Sequence, residues 1–434
     1  MTVKAFIENI ESKKAVVGIV GLGYVGLPLA IAFADKGFQV CGIEIDPQKA
    51  KKLNTGVTYL KHISADSFKT HIDSGKLRIC VNFSTVNECD AVIVCVPTPL
   101  NSSREPDMRF VEAATHGIAL GLRKGQLISL ESSTYPGTTD ELMREILERN
   151  KLRAGEDFFL VFSPEREDPG NATYHTTNIP KVVGGYTPDC LAAGIALYSA
   201  VIDKVVPVSS TRTAEMVKLF ENTYRAVNIA LVNELKFICS RLGIDVWEVI
   251  KAAATKPFGF QAFWPGPGLG GHCIPIDPFY LTWKARQVDA TTKFIELAGE
   301  INTDMPYKVV EVVQDALNTR KKSLSNSSVL VVGVAYKPDI DDIRESPALK
   351  IIDLLADKGS KLLYHDPYIP TLVTHKQITM ESTQLTPDLL RVVNCVLVVT
   401  NHKNIDYDLI AKNTNLVVDT RNCVPKNYNN VVPA

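Results

Sequence analysis

The chain has 434 residues, of which 45% are hydrophobic and 22% are charged, a balance typical of a folded globular protein of about three domains. It carries 47 Lys and Arg against 48 Asp and Glu, and the formal net charge of −1 excludes a strongly basic nucleic-acid-binding surface over the whole chain. Collagen-like, disordered and coiled-coil classes are excluded too, because Gly and Pro contents are ordinary and no fixed-period repeat occurs.

The sequence indicates neither a membrane segment nor an oxidising compartment. The uncharged segment 15–34 is long enough to span a membrane, but its glycines and Pro28 favour a strand, a glycine turn and a helix. The cysteines are scattered and odd in number, without a Cys-x-x-Cys pair, at positions 41, 80, 89, 95, 190, 239, 273, 395 and 423. We therefore expect a cytoplasmic protein with no metal cofactor, and with neither a membrane nor nucleic acid as a partner.

The first half of the chain alternates short β-branched runs with amphipathic stretches. Continuous apolar runs indicate strands that are buried on both faces, as in a parallel sheet covered by helices. The predicted strands are 15–20, 39–45, 91–96, 127–130, 158–162 and 181–183. Residues 1–208 are therefore predicted to form a Rossmann-like domain.

The middle of the chain, residues 209–318, is predicted to be a central helical domain. Its long first helix, about 211–243, carries an apolar stripe that predicts one buried face, formed by Met216, Phe220, Val227, Leu231, Leu235 and Ile238. The segment 257–278 contains no Lys, Arg or Glu, and a long irregular segment in a compact protein is usually functional.

Strand signals resume in the last part of the chain, at 329–334, 361–364, 395–400 and 416–419. Residues 319–434 are therefore predicted to form a second, smaller α/β domain. The expected fold class is α/β, with two Rossmann-like parallel-sheet domains joined by the central helical domain.

A dinucleotide-binding turn is predicted near the start of the chain. The sequence Gly21-Leu22-Gly23-Tyr24-Val25-Gly26 follows a predicted strand and precedes a helix, and its glycines allow a backbone to approach a diphosphate closely. Glu44, 18 residues after Gly26, suits the hydroxyls of the adenosine ribose and favours NAD over NADP. Asp46 is a rival for this role, and Lys49 is expected on the adenosine side.

The predicted sheet topology places two later turns at the dinucleotide-binding crevice. Pro97 and Thr98 follow one predicted strand, and Ser133 and Thr134 follow the next. Because the carboxyl ends of parallel strands meet at one edge of a sheet, we expect these residues to line the cofactor crevice. Ordinary turn chemistry explains them equally well.

Residues able to carry out covalent chemistry recur in the middle of the chain. Lys218 and Asn222 share one face of the long helix, where an ammonium and an amide can stabilise an oxyanion. Cys273 lies near Asp277 in the glycine-rich loop, and a thiolate beside a nicotinamide suits covalent oxidation of an aldehyde. Glu165 follows another strand and can activate a water that cleaves a thioester. Taken singly, each residue also suits an ordinary structural role.

Three cations follow strand signals in the last domain. Lys337, Arg344 and Arg421 are suited to binding a diphosphate, although each also suits an ordinary surface position. The sequence therefore offers separate candidates for the cofactor, the reaction centre and an anionic substrate.

Three blocks of sequence resemble the UDP-glucose/GDP-mannose dehydrogenase family over essentially the whole chain. They are GLGYVGLPLA at 21–30, GPGLGGHCIPIDPFYL at 266–281 and VAYKPDIDDIRESPAL at 334–349. The resemblance implies oxidation of the C6 alcohol of a UDP-sugar to an aldehyde and then to a carboxylate, with two NAD+ consumed per turnover. SPEREDPGN at 163–171 and the GHCIPIDP loop look most like the bacterial UDP-N-acetyl-D-glucosamine 6-dehydrogenases of O-antigen and other surface-polysaccharide synthesis.

The resemblance also implies roles for individual residues. Cys273 would be the nucleophile, Lys218 and Asn222 would stabilise oxyanions, Asp277 would organise the site, and Glu165 would promote thioester hydrolysis. Arg344 would lie near the cofactor and the active site. The residues expected to contact the substrate are Glu165, Arg166, Lys218, Asn222, Gly270, Gly271, Lys337 and Arg421. The long central helix is the family's dimer element, which implies a homodimer or a larger homo-oligomer.

The sequence departs from the UDP-glucose branch of that family. His272 and Ile276 stand where that branch usually has Ser and Lys, and the loop 257–271 has no cation. This favours UDP-N-acetylglucosamine over UDP-glucose, with the ManNAc and GalNAc epimers as alternatives. The aromatic segment 257–264 either packs against the acetamido group or simply packs the loop. A two-electron 3-hydroxyacid-type dehydrogenase and a non-enzymatic NAD-sensing module are remoter alternatives, and neither needs Cys273.

Overall fold

The computed structural model describes residues 2–60, 63, 65–101, 103–167, 173–271 and 274–434, without the side chain of Ser67. The chain divides into two compact units. The first comprises Met1–Glu221 and Phe279–Asp289, and the second comprises Asn222–Pro278 and Ala290–Ala434. Each unit contains one large sheet, so the prediction of two sheet-containing α/β parts is confirmed.

The sheet of the first unit has eight strands, which are β1 Val16–Val20, β2 Gln39–Ile43, β3 Leu77–Cys80, β4 Ala91–Val94, β5 Leu127–Leu130, β6 Phe159–Phe162, β7 Lys181–Gly185 and β8 Val205–Val208. Their order is β3-β2-β1-β4-β5-β6-β7-β8. All neighbours are parallel except β6 and β7. The chain leaves β1 towards one side for β2 and returns to the other side for β4. This reversal creates the crevice in which doubly wound sheets bind ligands.

Helices cover both faces of this sheet, which explains why its central strands are continuously apolar. They are α1 Val3–Glu11, α2 Gly26–Asp35, α3 Pro47–Asn54, α4 Ala65–Asp73, α5 Arg109–Gly121, α6 Arg144–Leu147 and α7 Pro188–Ser199. Strands β4, β5 and β6 are buried at every residue. The ring of Phe6 in α1 packs 5.3 Å from that of Phe159 in β6. The uncharged segment 15–34 is thus a strand, a turn and a helix, as predicted.

The helical part contains α8 Thr211–Leu242, α9 Val246–Ala253, α10 Asp277–Arg286 and α11 Lys293–Asn318. The prediction of a buried stripe on α8 is wrong for this chain. Met216, Phe220 and Leu231 are 42%, 65% and 62% exposed, and Ile238 is exposed as well. Other positions of α8 are buried instead, including Leu219, Ala226 and Ala230. Helical periodicity indicates that a face is apolar, but it does not indicate what covers that face.

The second unit contains a five-stranded parallel sheet with the order β10-β9-β13-β14-β15 and a separate β11–β12 hairpin. Its strands are β9 Ser328–Val332, β10 Lys361–His365, β11 Thr371–Val373, β12 Thr379–Glu381, β13 Cys395–Val398, β14 Val417–Asp419 and β15 Val431–Pro433. Its remaining helices are α12 Pro347–Asp357, α13 Pro387–Val392 and α14 Tyr407–Asn413. In the part of the chain that the structure describes, no helix is both long and apolar enough to cross a membrane.

Candidate active site

The glycine turn after β1 has the geometry of a dinucleotide site. Gly21 adopts φ +87°, and a Cβ there would lie 2.5 Å from the carbonyl oxygen of Cys95. A Cβ on Gly26 would lie 1.9 Å from the carbonyl oxygen of Gly21, so the start of α2 packs directly on the turn. A Cβ on Gly23 would meet no atom within 4 Å, so open space remains in front of its backbone. The turn therefore fits a cofactor diphosphate.

Glu44 lies at the end of β2, beside this turn. Its carboxylate accepts hydrogen bonds from the backbone N–H groups of Leu22 (3.3 Å) and Asp46 (3.1 Å). Asp46 itself caps α3, accepting from the backbone N–H groups of Gln48 and Lys49. Since Asp46 has this capping function, Glu44 is the better candidate for the ribose. Lys49, predicted to flank the adenosine, places its Nζ 5.7 Å from the ring centre of Tyr59.

A negative carboxylate at the ribose predicts a strong cofactor preference. We expect kcat/KM with NAD+ to exceed that with NADP+ by about 100-fold or more, because a 2′-phosphate would meet a like charge. Glu44→Gln should narrow this ratio mainly by improving the use of NADP+. Steady-state kinetics with both cofactors tests this expectation. Comparable use of NADP+ by the wild-type protein would show that Glu44 does not lie at the ribose.

The turns after β4 and β5 are positioned at the same carboxyl edge of the sheet. Thr98 is buried and Pro97 is exposed, while the Ser132 hydroxyl donates to the carbonyl oxygen of Val96 and joins the two turns. The Thr134 hydroxyl is buried without a hydrogen-bond partner among the described residues. A buried hydroxyl that lacks a partner is uncommon and fits a ligand group bound there. Ser133, half-buried, precedes it.

Lys218 and Glu165 contact each other in the first unit. The Lys218 ammonium donates to the carbonyl oxygen of Glu165 and lies 3.7 Å from its carboxylate. Both side chains are nearly buried, with 7% and 13% exposed. Burial raises the pKa of Glu165, although the charges of Lys218 and Lys181 oppose this effect. A carboxylate with a raised pKa is a stronger base, which suits the activation of water.

Three charged residues that the sequence analysis did not single out surround Glu165. Glu131 follows β5 and forms a buried ion pair with Lys181 at 2.9 Å, while its second carboxylate oxygen has no partner among the described residues. Glu167 donates its backbone N–H to the carboxylate of Glu165 and is itself bonded by Thr176. Burial raises the pKa of Glu167 to about 7. A small cavity is lined by Glu131, Glu165, Glu167 and Lys181.

The topology of the sheet explains this cluster. Lys181 is the first residue of β7, and β7 runs antiparallel to β6. The start of β7 therefore lies at the edge where β5 and β6 end, beside Glu131 and Glu165. Arg166, predicted to contact the substrate, lines the same cavity, where it pairs with Glu221 and donates to the carbonyl oxygen of Pro180.

Asn222 and Asp277 form the corresponding pair in the second unit. The Asn222 side-chain amide donates to the Asp277 carboxylate at 2.6 Å, and both side chains are buried. Asn222 lies one helical turn after Lys218 on α8, as predicted. Cys273 and His272 lie outside the described residues. The predicted nucleophile is therefore located by its sequence position, four residues before Asp277.

The glycine-rich loop packs tightly against residues of the last α/β part. The backbone N–H of Gly271 donates to the carbonyl oxygen of Arg344 at 3.0 Å. Gly271 adopts φ +83°, and a Cβ there would lie 2.9 Å from the Tyr336 ring. A Cβ on Gly270 would lie 2.6 Å from Tyr336. The guanidinium of Arg344 binds Asp342, with a shortest contact of 2.6 Å. The loop backbone that leads to Cys273 is thus held by the segment containing Lys337 and Arg344.

Lys337 and Arg421 lie at the carboxyl edge of the second sheet, as the sequence predicted. Lys337 follows β9 and Arg421 follows β14. The Arg421 backbone N–H donates to Asp419, and its Nε donates to the carbonyl oxygen of Val399 at 2.8 Å. Burial lowers the pKa of Arg421 to about 10. This edge suits an anionic ligand.

Two of the four aromatic residues of segment 257–264 pack within the second unit. Trp264 stacks on Trp247 at 5.4 Å, and Phe263 packs edge-on against Tyr224 at 5.7 Å. Phe258, Phe260 and Trp264 are exposed. Phe263 and one face of Trp264 therefore pack within the second unit, while Phe258 and Phe260 expose their rings.

Comparison with known proteins places the whole chain in one group. Residues 15–202, 212–304 and 330–426 match the NAD binding, central and UDP binding domains of the UDP-glucose/GDP-mannose dehydrogenase family. The UDP-N-acetyl-D-mannosamine dehydrogenase of Escherichia coli K12 is 38% identical over 354 residues, 79% of this chain and 83% of that protein. The UDP-N-acetyl-D-glucosamine 6-dehydrogenase of Pseudomonas aeruginosa is 36% identical over 355 residues, 81% of this chain and 83% of that protein.

Solved structures agree with this placement. The structure of a UDP-D-ManNAc dehydrogenase from Pyrococcus horikoshii superposes with a TM-score of 0.88 at 31% sequence identity. The superposition covers 96% of this chain and 98% of that one. The similarity therefore extends over both units rather than over the cofactor-binding part alone.

Proposed function

Because the chain belongs to the UDP-glucose/GDP-mannose dehydrogenase family, and is an NAD-dependent UDP-sugar dehydrogenase, we propose that its substrate is UDP-N-acetyl-D-glucosamine. It oxidises the C6 alcohol to the carboxylate of UDP-N-acetyl-D-glucosaminuronic acid, and two NAD+ are reduced for each sugar nucleotide. The observation that carries the reaction type is the pairing of Lys218 with Glu165 and of Asn222 with Asp277 at successive turns of α8.

The proposed reaction has four steps. The Gly21–Gly26 turn would hold NAD+, which would supply the hydride acceptor for the two oxidations at C6. After the alcohol has lost a hydride and a proton, the Cys273 thiolate attacks the C6 aldehyde and forms a C–S bond. The resulting thiohemiacetal loses a hydride and a proton and becomes a thioester. Water then breaks the C–S bond, and this releases the carboxylate and regenerates the thiol.

Glu165 is proposed to activate that water. Its carboxylate is nearly buried, and burial raises its pKa, so it accepts a proton more readily than an exposed carboxylate. The Lys218 ammonium keeps the carboxylate oriented and supplies positive charge to an oxyanion at C6. We propose that the paired cluster of Glu131 and Lys181 holds Glu165 in position, because it adds a fixed charge pair beside it.

Asn222 is proposed to stabilise an oxyanion of the reaction. Asp277 accepts one amide N–H of Asn222 at 2.6 Å, which fixes the plane of the amide and leaves its second N–H for the reacting oxygen. Asp277 is thus a positioning residue in this scheme. Removing its acceptor would let the amide rotate, although the residue itself does not touch the substrate.

UDP-N-acetyl-D-mannosamine is the second candidate substrate. The relatives in E. coli and P. horikoshii favour it, since both are named for that sugar, whereas the P. aeruginosa relative is named for the glucosamine epimer. The loop 257–271 supports an N-acetylated sugar of either kind. It has no cation, and the exposed rings of Phe258 and Phe260 can pack against an acetamido methyl.

A substrate panel tests the proposal. We expect kcat/KM to be highest for UDP-GlcNAc among UDP-GlcNAc, UDP-ManNAc, UDP-GalNAc and UDP-glucose, with two NADH formed per sugar nucleotide consumed. A group built to bind the acetamido amide is left unpaired by a 2-hydroxyl, so UDP-glucose should be the poorest substrate. Preference for UDP-ManNAc would establish the second candidate. Preference for UDP-glucose would contradict both, and one NADH per sugar would contradict the four-electron reaction.

The cellular setting and assembly are proposed on the same basis. We infer a cytoplasmic enzyme that supplies uronic acids for surface polysaccharides, with three functional parts at residues 1–208, 209–318 and 319–434. The exposed stripe of α8, including Phe220 and Leu231, supports a homodimer or larger homo-oligomer, because a long apolar face on a helix usually has a partner.

A further inference from the structure

Lys236 has a buried ammonium group that the scheme above does not use. It lies on α8 in the second unit, and its Nζ is buried without a hydrogen-bond partner among the described residues. Burying an unpaired charge is costly, so such a group is usually paired or bound to a ligand. The nearest ring, that of Phe237, is 5.3 Å away and accounts for little of this cost.

A second cation, Arg421, lies near Lys236. The Nε of Arg421 donates to the carbonyl oxygen of Val399, whereas its two terminal nitrogens have no acceptor among the described residues. Burial lowers the pKa of Lys236 to about 8, and the positive charge of the neighbouring Arg421 contributes to this decrease. Asp419, the acidic residue nearest in sequence to Arg421, accepts backbone N–H groups of Arg421, Cys423 and Val424.

The glycine-rich loop contacts both Arg421 and the helical turn of α8 that precedes Lys236. Asn233, one helical turn before Lys236, accepts the backbone N–H of Gly266 at 2.9 Å, and its amide donates to Asn302 at 3.1 Å. A Cβ on Gly266 would lie 2.6 Å from Nη1 of Arg421. Any side chain at position 266 would therefore displace the guanidinium. Gly266 thus links the guanidinium of Arg421 to the part of α8 that carries Lys236.

We propose that Lys236 and Arg421, together with the backbone around Gly266, clamp the diphosphate of the nucleotide sugar. Two adjacent cations, one of them an ammonium without a hydrogen-bond partner among the described residues, suit a ligand group that carries two negative charges. Lys236 also supplies, from the helix that anchors the loop, the positive charge that the loop 257–271 lacks. This inference rests on the proposed function and adds Lys236 to the residues that bind the substrate.

The test is binding of UDP and of uridine to the full-length chain by titration calorimetry. Lys236→Met keeps the length of the side chain and removes its charge, so the Kd for UDP should rise by about 10-fold or more. Uridine has no phosphate, and its affinity should be the same for the variant and the wild type. The KM for the UDP-sugar should rise while kcat changes little, and Lys236→Arg should recover part of the affinity.

Control measurements separate this role from a structural one. Lys251→Met removes an exposed lysine from the neighbouring helix α9 and should leave UDP binding unchanged. The affinity of the Lys236→Met protein for NAD+ should match the wild type, and its Tm should not fall, because a buried unpaired charge has been removed.

Two results would overturn the inference while the proposed function stands. One is wild-type affinity of the Lys236→Met protein for UDP, and the other is an equal loss of affinity for UDP and uridine. Failure of the wild type to bind UDP at all would overturn the proposed function, and this inference with it.

Discussion

Replacing Cys273 by Ser is expected to abolish formation of the uronate, with a decrease in kcat of at least about 10³-fold. A serine hydroxyl is almost entirely protonated at neutral pH, whereas a cysteine has an accessible thiolate that attacks an aldehyde readily. Binding of NAD+ and of UDP should remain, because Cys273 is proposed to act on C6 alone. Uronate production is followed by chromatography, and cofactor binding is followed by fluorescence titration.

A matched control is available in the first unit. Cys190 lies in α7, and its sulfur accepts the backbone N–H of Leu160 at 3.3 Å. A serine oxygen can take over that bond, so Cys190→Ser should keep close to wild-type turnover. If Cys273→Ser turned over as fast as Cys190→Ser, the covalent mechanism would be wrong, while the assignment to the family would be unaffected.

Glu165→Gln is expected to separate the oxidations from the hydrolysis. The amide cannot accept a proton from water, so steady-state turnover should fall by roughly 10²–10⁴-fold. Both hydride transfers still occur once per active site, and rapid mixing should therefore show a burst of up to about two NADH per site, followed by a slow phase. Glu156→Gln, at an exposed position of the same unit, is the matched control and should show no change.

Two outcomes bear on the role of Glu165. A slow steady state without a burst would mean that Glu165 acts before the thioester forms, for example by holding Lys218 in place. Wild-type turnover would exclude Glu165 from the reaction altogether. Only a burst followed by a stall supports its assignment to hydrolysis.

In the first sheet, strands buried on both faces could be predicted closely, whereas the two edge strands could not. The predicted strand 127–130 coincides with β5, and 158–162 differs from β6 by one residue. Strands β3 and β8 form the two edges of the first sheet and were not predicted. β3 alternates buried and exposed residues, and β8 contains Pro207, so neither has the continuous apolar run of a central strand.

The candidate site divides in the same way. The spacing of Lys218 and Asn222 predicts that they share one face of a helix. The number of residues between the glycine turn and Glu44 predicts that Glu44 lies beside that turn. Glu131 and Lys181 are 50 residues apart and carry no local signal, because only the antiparallel β7 brings Lys181 to the end of β5. Lys236 could not be singled out from the sequence either. Only the folded structure shows that its ammonium group is buried without a hydrogen-bond partner among the described residues, near the loop that packs Gly266 against Arg421.

The most direct measurement of the central claim is the intact mass of the Glu165→Gln protein after incubation with UDP-N-acetylglucosamine and NAD+. A covalent four-electron mechanism predicts an added mass equal to the sugar nucleotide at the oxidation level of the acid, bound as a thioester. Peptide mapping should place the adduct on Cys273, and hydroxylamine should remove it. An unmodified protein that has nevertheless released NADH and uronate would contradict the account.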